Sequence, residues 1–198
     1  MPLVVVRTSP RPWRGVLILT LLLVSLLGGA VTPVAAAHTK RHTTVTQLEH
    51  LALSLLNCTR TGGWVQANGR CADRGSGKHS RRLKPLKVSA SIADRASRPY
   101  AKRMLAAGVC SHYVGYSSIQ QHFRNNGFKG SPYGESIGCG YGLTPRQMLI
   151  YTELTYQSEQ GTGGWHWRNL KDAGFDRVGV GVAVSRKGSR VVFDFYGG

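Results

Sequence analysis

Three short segments of the chain hold the residue types that could do chemistry. His112 stands in the run CSHY, Glu135 in the run GESIGC, and His166 between two tryptophans in the run GGWHWRNL. Imidazoles and carboxylates can bind a divalent metal such as Zn²⁺, or exchange protons with a substrate. Because the chain has only nine Asp and Glu residues, a carboxylate inside such a motif is informative. The segments predict a polar site, and the alternative is that buried His and Glu only hydrogen-bond one another.

The chain is strongly basic, with 26 Lys and Arg residues and a formal charge of +17. Arg7, Arg11 and Arg14 belong to an N-terminal segment without acids, and removing them leaves +14. Such a charge favours anionic partners, either cell-envelope polymers or acidic lipid headgroups. Nucleic acid would be bound through its phosphates alone, so no specific nucleic-acid partner is expected. The alternative is that the charge serves solubility only.

Residues 1–37 predict a cleavable secretory signal peptide. Three arginines precede an apolar run of 12 residues, 16–27, and the small residues Ala35-Ala36-Ala37 follow it. A helix that spans a bilayer needs about 20 apolar residues, so cleavage near Ala37 is favoured over a retained anchor. Residues 38–44 predict a flexible basic lead-in. The remainder, 45–198, has the length of one ordinary domain.

Four cysteines, an even number in an exported chain, predict two disulfides. Three pairings are possible, and the spacing favours Cys58–Cys71 and Cys110–Cys139. The first of these closes a loop within a Gly-rich, basic and loop-like segment, residues 58–82. A zinc site built on the cysteines is not indicated, because the chain has no C-x-x-C motif and no close Cys/His cluster.

Helix caps and apolar spacing predict four helices. Thr44 and Gln47 have the spacing of a capping box, and Thr144-Pro145-Arg146-Gln147 combines such a box with a proline in the first turn. Pro99 should kink or restart the second helix, and Gly108 should end it. The predicted segments are 44–57, 89–107, 118–125 and a stretch that begins at Thr144.

The C-terminal segment predicts a β-hairpin. Valines alternate with Gly and Ala over 178–184, apolar residues recur over 191–195, and residues 186–189 form the turn. The glycines leave one face of the first strand nearly bare, which suits close packing of a helix or a ligand. Helices followed by a hairpin indicate an α+β domain with a mostly antiparallel sheet.

In their order, the motifs resemble those of the CAP superfamily, which groups cysteine-rich secretory proteins, insect venom antigens and plant pathogenesis-related proteins. The resemblance runs from about Leu48 to Tyr196. It includes L-N-x-x-R at 56–60, K-P-L at 84–86, S-H at 111–112, G-E at 134–135, H-x-x-N-L at 166–170, the V-G-V-G-V strand and the aromatic last strand.

The resemblance implies a three-layer α-β-α sandwich and a cleft in which two His and two Glu converge. His112, Glu135 and His166 match the family's site residues. The second acid should lie on the helix before His166, where Glu153 is the favoured residue and Glu159 the alternative. Some members bind a divalent metal in this cleft. In this chain its ligands would be His112 and His166, with Glu135 and Glu153.

The chain departs from the family's pattern at two positions. Ser136 stands where an Asn is usual, and Tyr151 or Thr152 where the fourth helix commonly has a Trp. A bond between Cys110 and Cys139 would lock two site segments together. The remaining histidines are predicted to lie exposed or on helix surfaces: His38, His42, His50, His79 and His122.

Three functions are compatible with these features. The first is a secreted, non-enzymatic monomer that binds lipid, sterol, another small hydrophobic ligand or cell-envelope components through its cleft and basic surface. The second is a hydrolase in which His112, His166 and Glu135 activate water, alone or through a metal. The third is a basic adhesion module at the cell surface. No cofactor is required, and Zn²⁺ or another divalent metal is compatible with the cleft residues.

Overall fold

The structure, a computed structural model, describes residues 44–198. The predicted signal peptide and residues 38–43 of the predicted lead-in lie outside the described residues, as do His38 and His42. Between residues 44 and 198, no helix is both long and apolar enough to cross a membrane.

The described chain alternates helices with short strands before a long C-terminal hairpin. The helices are α1 (Val45–Arg60), α2 (Ala90–Ile92), α3 (Arg98–Ala107), α4 (Ile119–Asn125), α5 (Pro145–Ser158) and α6 (Trp165–Lys171). A π-helical turn, Ala93–Ser97, joins α2 to α3, and a 3-10 turn, Glu159–Gly161, follows α5. The strands are β1 (Trp64–Val65), β2 (Cys71–Ala72), β3 (Lys87–Val88), β4 (Tyr133–Gly140), β5 (Arg177–Ser185) and β6 (Gly188–Tyr196).

The predicted caps are confirmed. The Thr44 and Thr144 hydroxyls accept hydrogen bonds from the third residue of α1 and α5, and both capping boxes are complete. Gly108 ends α3 in the left-handed conformation, with φ of 70°. The π-helical turn precedes Pro99, whose missing N–H and bulky ring would disturb a continuous α-helix. Helix α1 runs three residues beyond its predicted end, and α6 was not predicted.

The central sheet has the strand order β3-β5-β6-β4. Strand β6 pairs antiparallel with both β5 and β4, as the hairpin prediction required. The short β3 pairs parallel with β5, so the sheet is mixed although mostly antiparallel. In the β4–β6 register, Glu135 lies opposite Asp194. A separate two-stranded sheet joins β1 and β2.

Helices cover both faces of the central sheet, which confirms the predicted three-layer α-β-α sandwich. On one face, α1 and α5 pack with apolar residues of β5 and β6, including Val180 and Phe193. On the other, α3 contacts β5 and β6, and its Tyr100 and Met104 cluster with Val192.

The glycines of β5 allow the π-helical turn to lie directly on the sheet. A Cβ atom placed on Gly181 would lie 2.2 Å from the carbonyl carbon of Ser97, and one on Gly179 would lie 2.5 Å from the Ser97 hydroxyl. The bare face of this strand was predicted to suit close packing of a helix or a ligand, and the structure places a helical turn there.

Both disulfides have the pairing that the spacing favoured. Cys58 of α1 bonds to Cys71 of β2, and Cys110, just after α3, bonds to Cys139 of β4. The second bond joins the segment that carries His112 to the strand that carries Glu135.

Candidate functional site

His112 is held by a buried carboxylate on β4. Its Nδ1 lies 2.6 Å from Oε1 of Glu135. The Glu135 side chain is 0% exposed and that of His112 is 28% exposed, so the ring borders solvent while its partner does not. The loop around the ring is fixed by Tyr100, whose hydroxyl donates to the Ser111 carbonyl and accepts from the Val114 N–H.

His166 is held by a carboxylate that also caps its helix. Its Nδ1 lies 2.6 Å from Oε1 of Glu159, and its side chain is 27% exposed. Oε2 of Glu159 accepts the backbone N–H groups of His166 and Trp167 at 2.9 and 3.2 Å. Glu159 thus satisfies the N-terminus of α6, whose N-cap residue, Gly164, has no side chain to do so. The His166 ring also stacks on Tyr156, with 4.5 Å between centroids.

The rings of the two histidines lie near each other, and we call the space between them the cleft. Their ring centroids are 6.5 Å apart, and their planes differ by 27°. Asn169 of α6 ties the two sides together, because its amide donates to the Glu135 carbonyl at 2.9 Å and to the Ser136 hydroxyl at 3.1 Å. Ser136, which departs from the family's Asn, is therefore part of the contact between β4 and α6.

The hydrogen bonds determine which nitrogen of each ring is available. A carboxylate accepts the hydrogen of Nδ1, so the lone pair of a neutral ring lies on Nε2. Neither Nε2 has a hydrogen-bond partner within residues 44–198. Histidines that bind metals usually have this arrangement, with a carboxylate or carbonyl on the opposite nitrogen. Each of the two rings therefore offers a nitrogen of the kind that a divalent cation such as Zn²⁺ binds.

Glu153 does not lie in this cleft, although the helical spacing favoured it as the second acid. The Thr59 hydroxyl of α1 donates to Oε1 of Glu153 at 2.5 Å, and the carboxyl is buried between α5 and α1. Burial raises the pKa of Glu153 to about 7, and the Thr59 hydrogen bond acts in the opposite direction. Glu159, the alternative, is the acid beside His166, because it follows the end of α5 and turns back toward α6.

The prediction that His122 lies on a helix surface is wrong. His122 is 1% exposed, and its ring is enclosed by Tyr100 and Tyr116, at 4.9 and 4.6 Å between centroids. Its Nε2 lies 3.3 Å from Oδ2 of Asp194 and 3.7 Å from Oε2 of Glu135. Ligand atoms of the three residues lie within 4.8 Å of one another, beneath the cleft.

The buried carboxylates shift the protonation of this cluster. Burial raises the pKa of Glu135 and the charge of Asp194 adds to the rise, while the hydrogen bond from His112 opposes it. Burial pushes the pKa of His122 down, but the hydrogen bond and charge of Asp194, together with the charge of Glu135, outweigh it, so the pKa is raised. A protonated His122 would balance part of the buried negative charge. The Ser97 hydroxyl also donates to Asp194, at 2.8 Å.

Several site residues were missed because their roles arise from tertiary contacts. Asp194 carried a usable signal, since it is an acid within the apolar run 191–196, where an unpaired charge would be costly. Asn169 lies in the H-x-x-N-L motif, but its contact with β4 depends on how α6 docks. Tyr156 lies on α5, and its stacking on His166 depends on how α6 packs against that helix.

Comparison with known proteins identifies the family. A family model described as "CAP: Cysteine-rich secretory protein family" matches residues 53–195. The chain belongs to this family. The CAP match begins within α1 and ends within β6, so it contains both cleft histidines and both of their carboxylate partners.

Two solved structures of bacterial proteins are similar to this CAP chain. One is an extracellular protein with an SCP domain from Bacillus anthracis, 20% identical with a TM-score of 0.46, covering 59% of this chain and 35% of that one. The other is a cysteine-rich secretory protein from Staphylococcus aureus, 15% identical with a TM-score of 0.45, covering 77% of this chain and 39% of that one. The matched part is well under half of either protein's length. No curated protein matches the chain.

Proposed function

We propose that this CAP-domain chain is a secreted, non-enzymatic binding protein whose cleft takes a divalent cation, with Zn²⁺ as the ion that fits best. One observation carries the proposal. His112 and His166 each have Nδ1 hydrogen-bonded to a carboxylate and Nε2 free of described partners, and the two rings face each other. Two imidazoles so oriented are suitable ligands for Zn²⁺.

The surrounding residues would orient the ligands rather than bind the ion. Glu135 and Glu159 keep the hydrogen on Nδ1, Tyr156 supports the His166 ring, and Asn169 keeps α6 against β4. A bound Zn²⁺ would supply a Lewis acid that holds an anionic oxygen of a ligand. With two protein ligands, coordination positions stay open for such an oxygen.

Secretion is supported by the family and by the two disulfides, which persist in oxidising compartments. Within residues 44–198, all four cysteines are in disulfides, and neither cleft histidine hydrogen-bonds to a Ser or Thr hydroxyl. A hydrolase that acts through an activated side-chain nucleophile therefore lacks that nucleophile among the described residues.

The test is zinc binding by tag-free protein recovered from its secretion medium. We expect one Zn²⁺ per chain by elemental analysis, and loss of binding in the double variant His112→Ala/His166→Ala. His50→Ala is the matched control, because His50 is an exposed histidine of α1 and should leave binding unchanged. Glu159→Gln, which alters the partner of His166, should weaken binding about 10- to 100-fold.

The same variants distinguish a zinc-binding protein from an enzyme. If the double variant retains its Zn²⁺, the ion lies elsewhere and the proposal fails. If the wild-type protein hydrolyses peptide or ester substrates and His112→Ala abolishes that activity, the cleft is catalytic, and the proposed absence of enzymatic activity is wrong.

A further inference from the structure

The segment from Arg74 to Lys87 presents a row of positive charges to solvent. It contains six Lys and Arg residues and no Asp or Glu, and all six are exposed. We call them the cationic rail: Arg74, Lys78, Arg81, Arg82, Lys84 and Lys87. Lys78 pairs with Asp73, and Arg74 donates to the Ser54 hydroxyl. The other four side chains have no hydrogen-bonding or ion-pair partner within the described residues.

Two further cations fix the backbone of the rail from inside. The Lys171 ammonium group lies 2.5 Å from the Arg81 carbonyl, 2.9 Å from the Ser80 hydroxyl and 2.9 Å from the Arg60 carbonyl. Burial, and then the positive charges of Arg60 and Arg81, lower the pKa of Lys171 to about 8. Arg60, which is itself buried, donates from Nε to the Lys84 carbonyl at 2.8 Å.

Helix α1 holds the end of the rail through a reciprocal pair of hydrogen bonds. The Asn57 amide donates to the Leu86 carbonyl at 3.1 Å, and the Leu86 N–H donates to Oδ1 of Asn57 at 2.8 Å. The Leu83 N–H donates to the Arg60 carbonyl. The rail is thus ordered although most of it lies outside regular helices and strands. A ligand that binds it need not supply the free energy to order a loop.

Two adjoining grooves run beside the rail and share the lining residues 83–85. One, of about 620 Å³, lies between this segment and the face of α1 that carries Leu53, and it includes Arg74 and Arg82. The other, of about 720 Å³, is bordered by Lys87 and Phe175. Together they make a concave surface with an apolar floor, bordered by the positive charges of the rail and by one acid, Asp176, whose charge is paired with Arg177.

We infer that the cationic rail is a binding surface for a linear polyanion, a polymer that carries phosphate or carboxylate groups along its length. Guanidinium and ammonium groups form charge-assisted hydrogen bonds with both kinds of anion. The two adjoining grooves fit an extended chain. A surface that enters a bilayer needs exposed apolar or aromatic side chains beside its bases. Among the large hydrophobic residues exposed in the described part, only Val88 adjoins the rail.

The experiment compares two triple variants of the secreted protein that lose the same charge. Arg82→Gln/Lys84→Gln/Lys87→Gln neutralises the rail. Lys102→Gln/Lys129→Gln/Arg186→Gln neutralises one Arg and two Lys that are also exposed but lie outside it. The probes are long-chain inorganic polyphosphate and poly-L-glutamate, with affinities measured by isothermal titration calorimetry at about 0.15 M salt, where distant charges are screened.

We expect the rail variant to bind the polyanions about tenfold more weakly and the control variant to stay within about twofold of wild type. Equal losses in both variants would show that net charge alone attracts the polymer, and would overturn the inference. Tighter binding to phosphatidylglycerol vesicles than to either polymer would make a membrane the partner, and would also overturn it. The double variant His112→Ala/His166→Ala should bind both polyanions as the wild-type protein does, so the test of the rail does not depend on whether the cleft binds Zn²⁺.

Discussion

At the scale of single residues, each cleft histidine depends on a carboxylate that is fixed in a different way. Glu135 is fixed because it lies on a buried strand, whereas Glu159 is fixed because it caps α6. An imidazole ring that could turn freely would present either nitrogen to a ligand. The two carboxylates remove that freedom, so the cleft presents the same nitrogen from both sides.

Glu153 makes the stability of the protein depend on pH. Its pKa of about 7 in the folded state exceeds the ordinary value of 4.5, so the folded protein binds more protons than the unfolded chain between those values. The free energy of unfolding should therefore fall as the pH rises from 4.5 to about 7. Glu153→Gln can still accept the Thr59 hydrogen bond and should remove this fall, stabilising the protein above pH 7 by about 1–3 kcal/mol.

Urea unfolding at a series of pH values measures this effect. Asp94→Asn, which changes an exposed acid, is the control and should keep the wild-type decline. An unchanged pH dependence in Glu153→Gln would show that another group is responsible.

Sequence reasoning reached His112, Glu135 and His166 through local motifs, and the structure brings these three residues to one cleft. The choice between Glu153 and Glu159 could not be made the same way, because it depends on where α5 ends. The burial of His122 depends on Asp194, 72 residues further along, and on the rings of Tyr100 and Tyr116. His122 lies on α4, which has only seven residues, too few for the spacing of apolar residues to show which face of the helix is buried.

At the scale of elements, the π-helical turn lies directly on β5. Gly179 and Gly181 leave room for the Ser97 backbone, which brings the Ser97 hydroxyl within 2.8 Å of Asp194 on the neighbouring strand. The glycines of one strand therefore help to place a hydrogen-bond donor against a buried acid of the next.

Gly181→Ala tests this packing. Its Cβ would meet backbone atoms of Ser97 that cannot rotate away, so we expect a loss of about 1–3 kcal/mol in the free energy of unfolding. Gly161→Ala is the control, because a Cβ there meets nothing within 4 Å, and its effect should stay within about 0.5 kcal/mol. Equal stabilities of the two variants, measured by urea unfolding, would contradict the proposed close contact.

Helices whose caps lie in their own sequence could be predicted. Elements that depend on contacts with distant parts of the chain could not. Thr44 and Thr144 mark their helices through their own hydroxyls, so the sequence alone reveals them. Helix α6 has Gly164 at its N-cap and borrows Glu159 from outside the helix, which no local pattern shows. The parallel pairing of β3 with β5 likewise joins segments that are distant in the sequence.

At the scale of the whole molecule, each of the two disulfides stabilises a different part of the protein. Cys58–Cys71 joins α1 to β2 near the start of the rail. Cys110–Cys139 joins the His112 loop to the Glu135 strand. The two proposed binding surfaces are therefore stabilised by separate bonds.

Removing each disulfide separately should show that the two bonds stabilise different parts of the protein. Cys110→Ser/Cys139→Ser should lower the free energy of unfolding by about 3–4 kcal/mol, given a closed loop of roughly 30 residues. It should also weaken Zn²⁺ binding, whereas Cys58→Ser/Cys71→Ser should lower stability with little effect on Zn²⁺. Calorimetric unfolding and zinc titration measure the two effects. Equal zinc affinities in both variants would contradict the prediction that Cys110–Cys139, and not Cys58–Cys71, stabilises the zinc-binding residues.

The position of β6 has a consequence for how the chain can fold as it is made. Residues 188–196 supply the hydrogen-bonding partners of both β4 and β5, yet they come last among the described strands. Synthesis proceeds from the N-terminus, so β4 emerges with its only partner strand in the sheet still to come. The pairing of β4 and β5 with β6 must wait for these residues, and so must the position of Glu135 opposite Asp194. A chain interrupted before residue 188 would lack β6 and could form neither the β4–β6 nor the β5–β6 pairing.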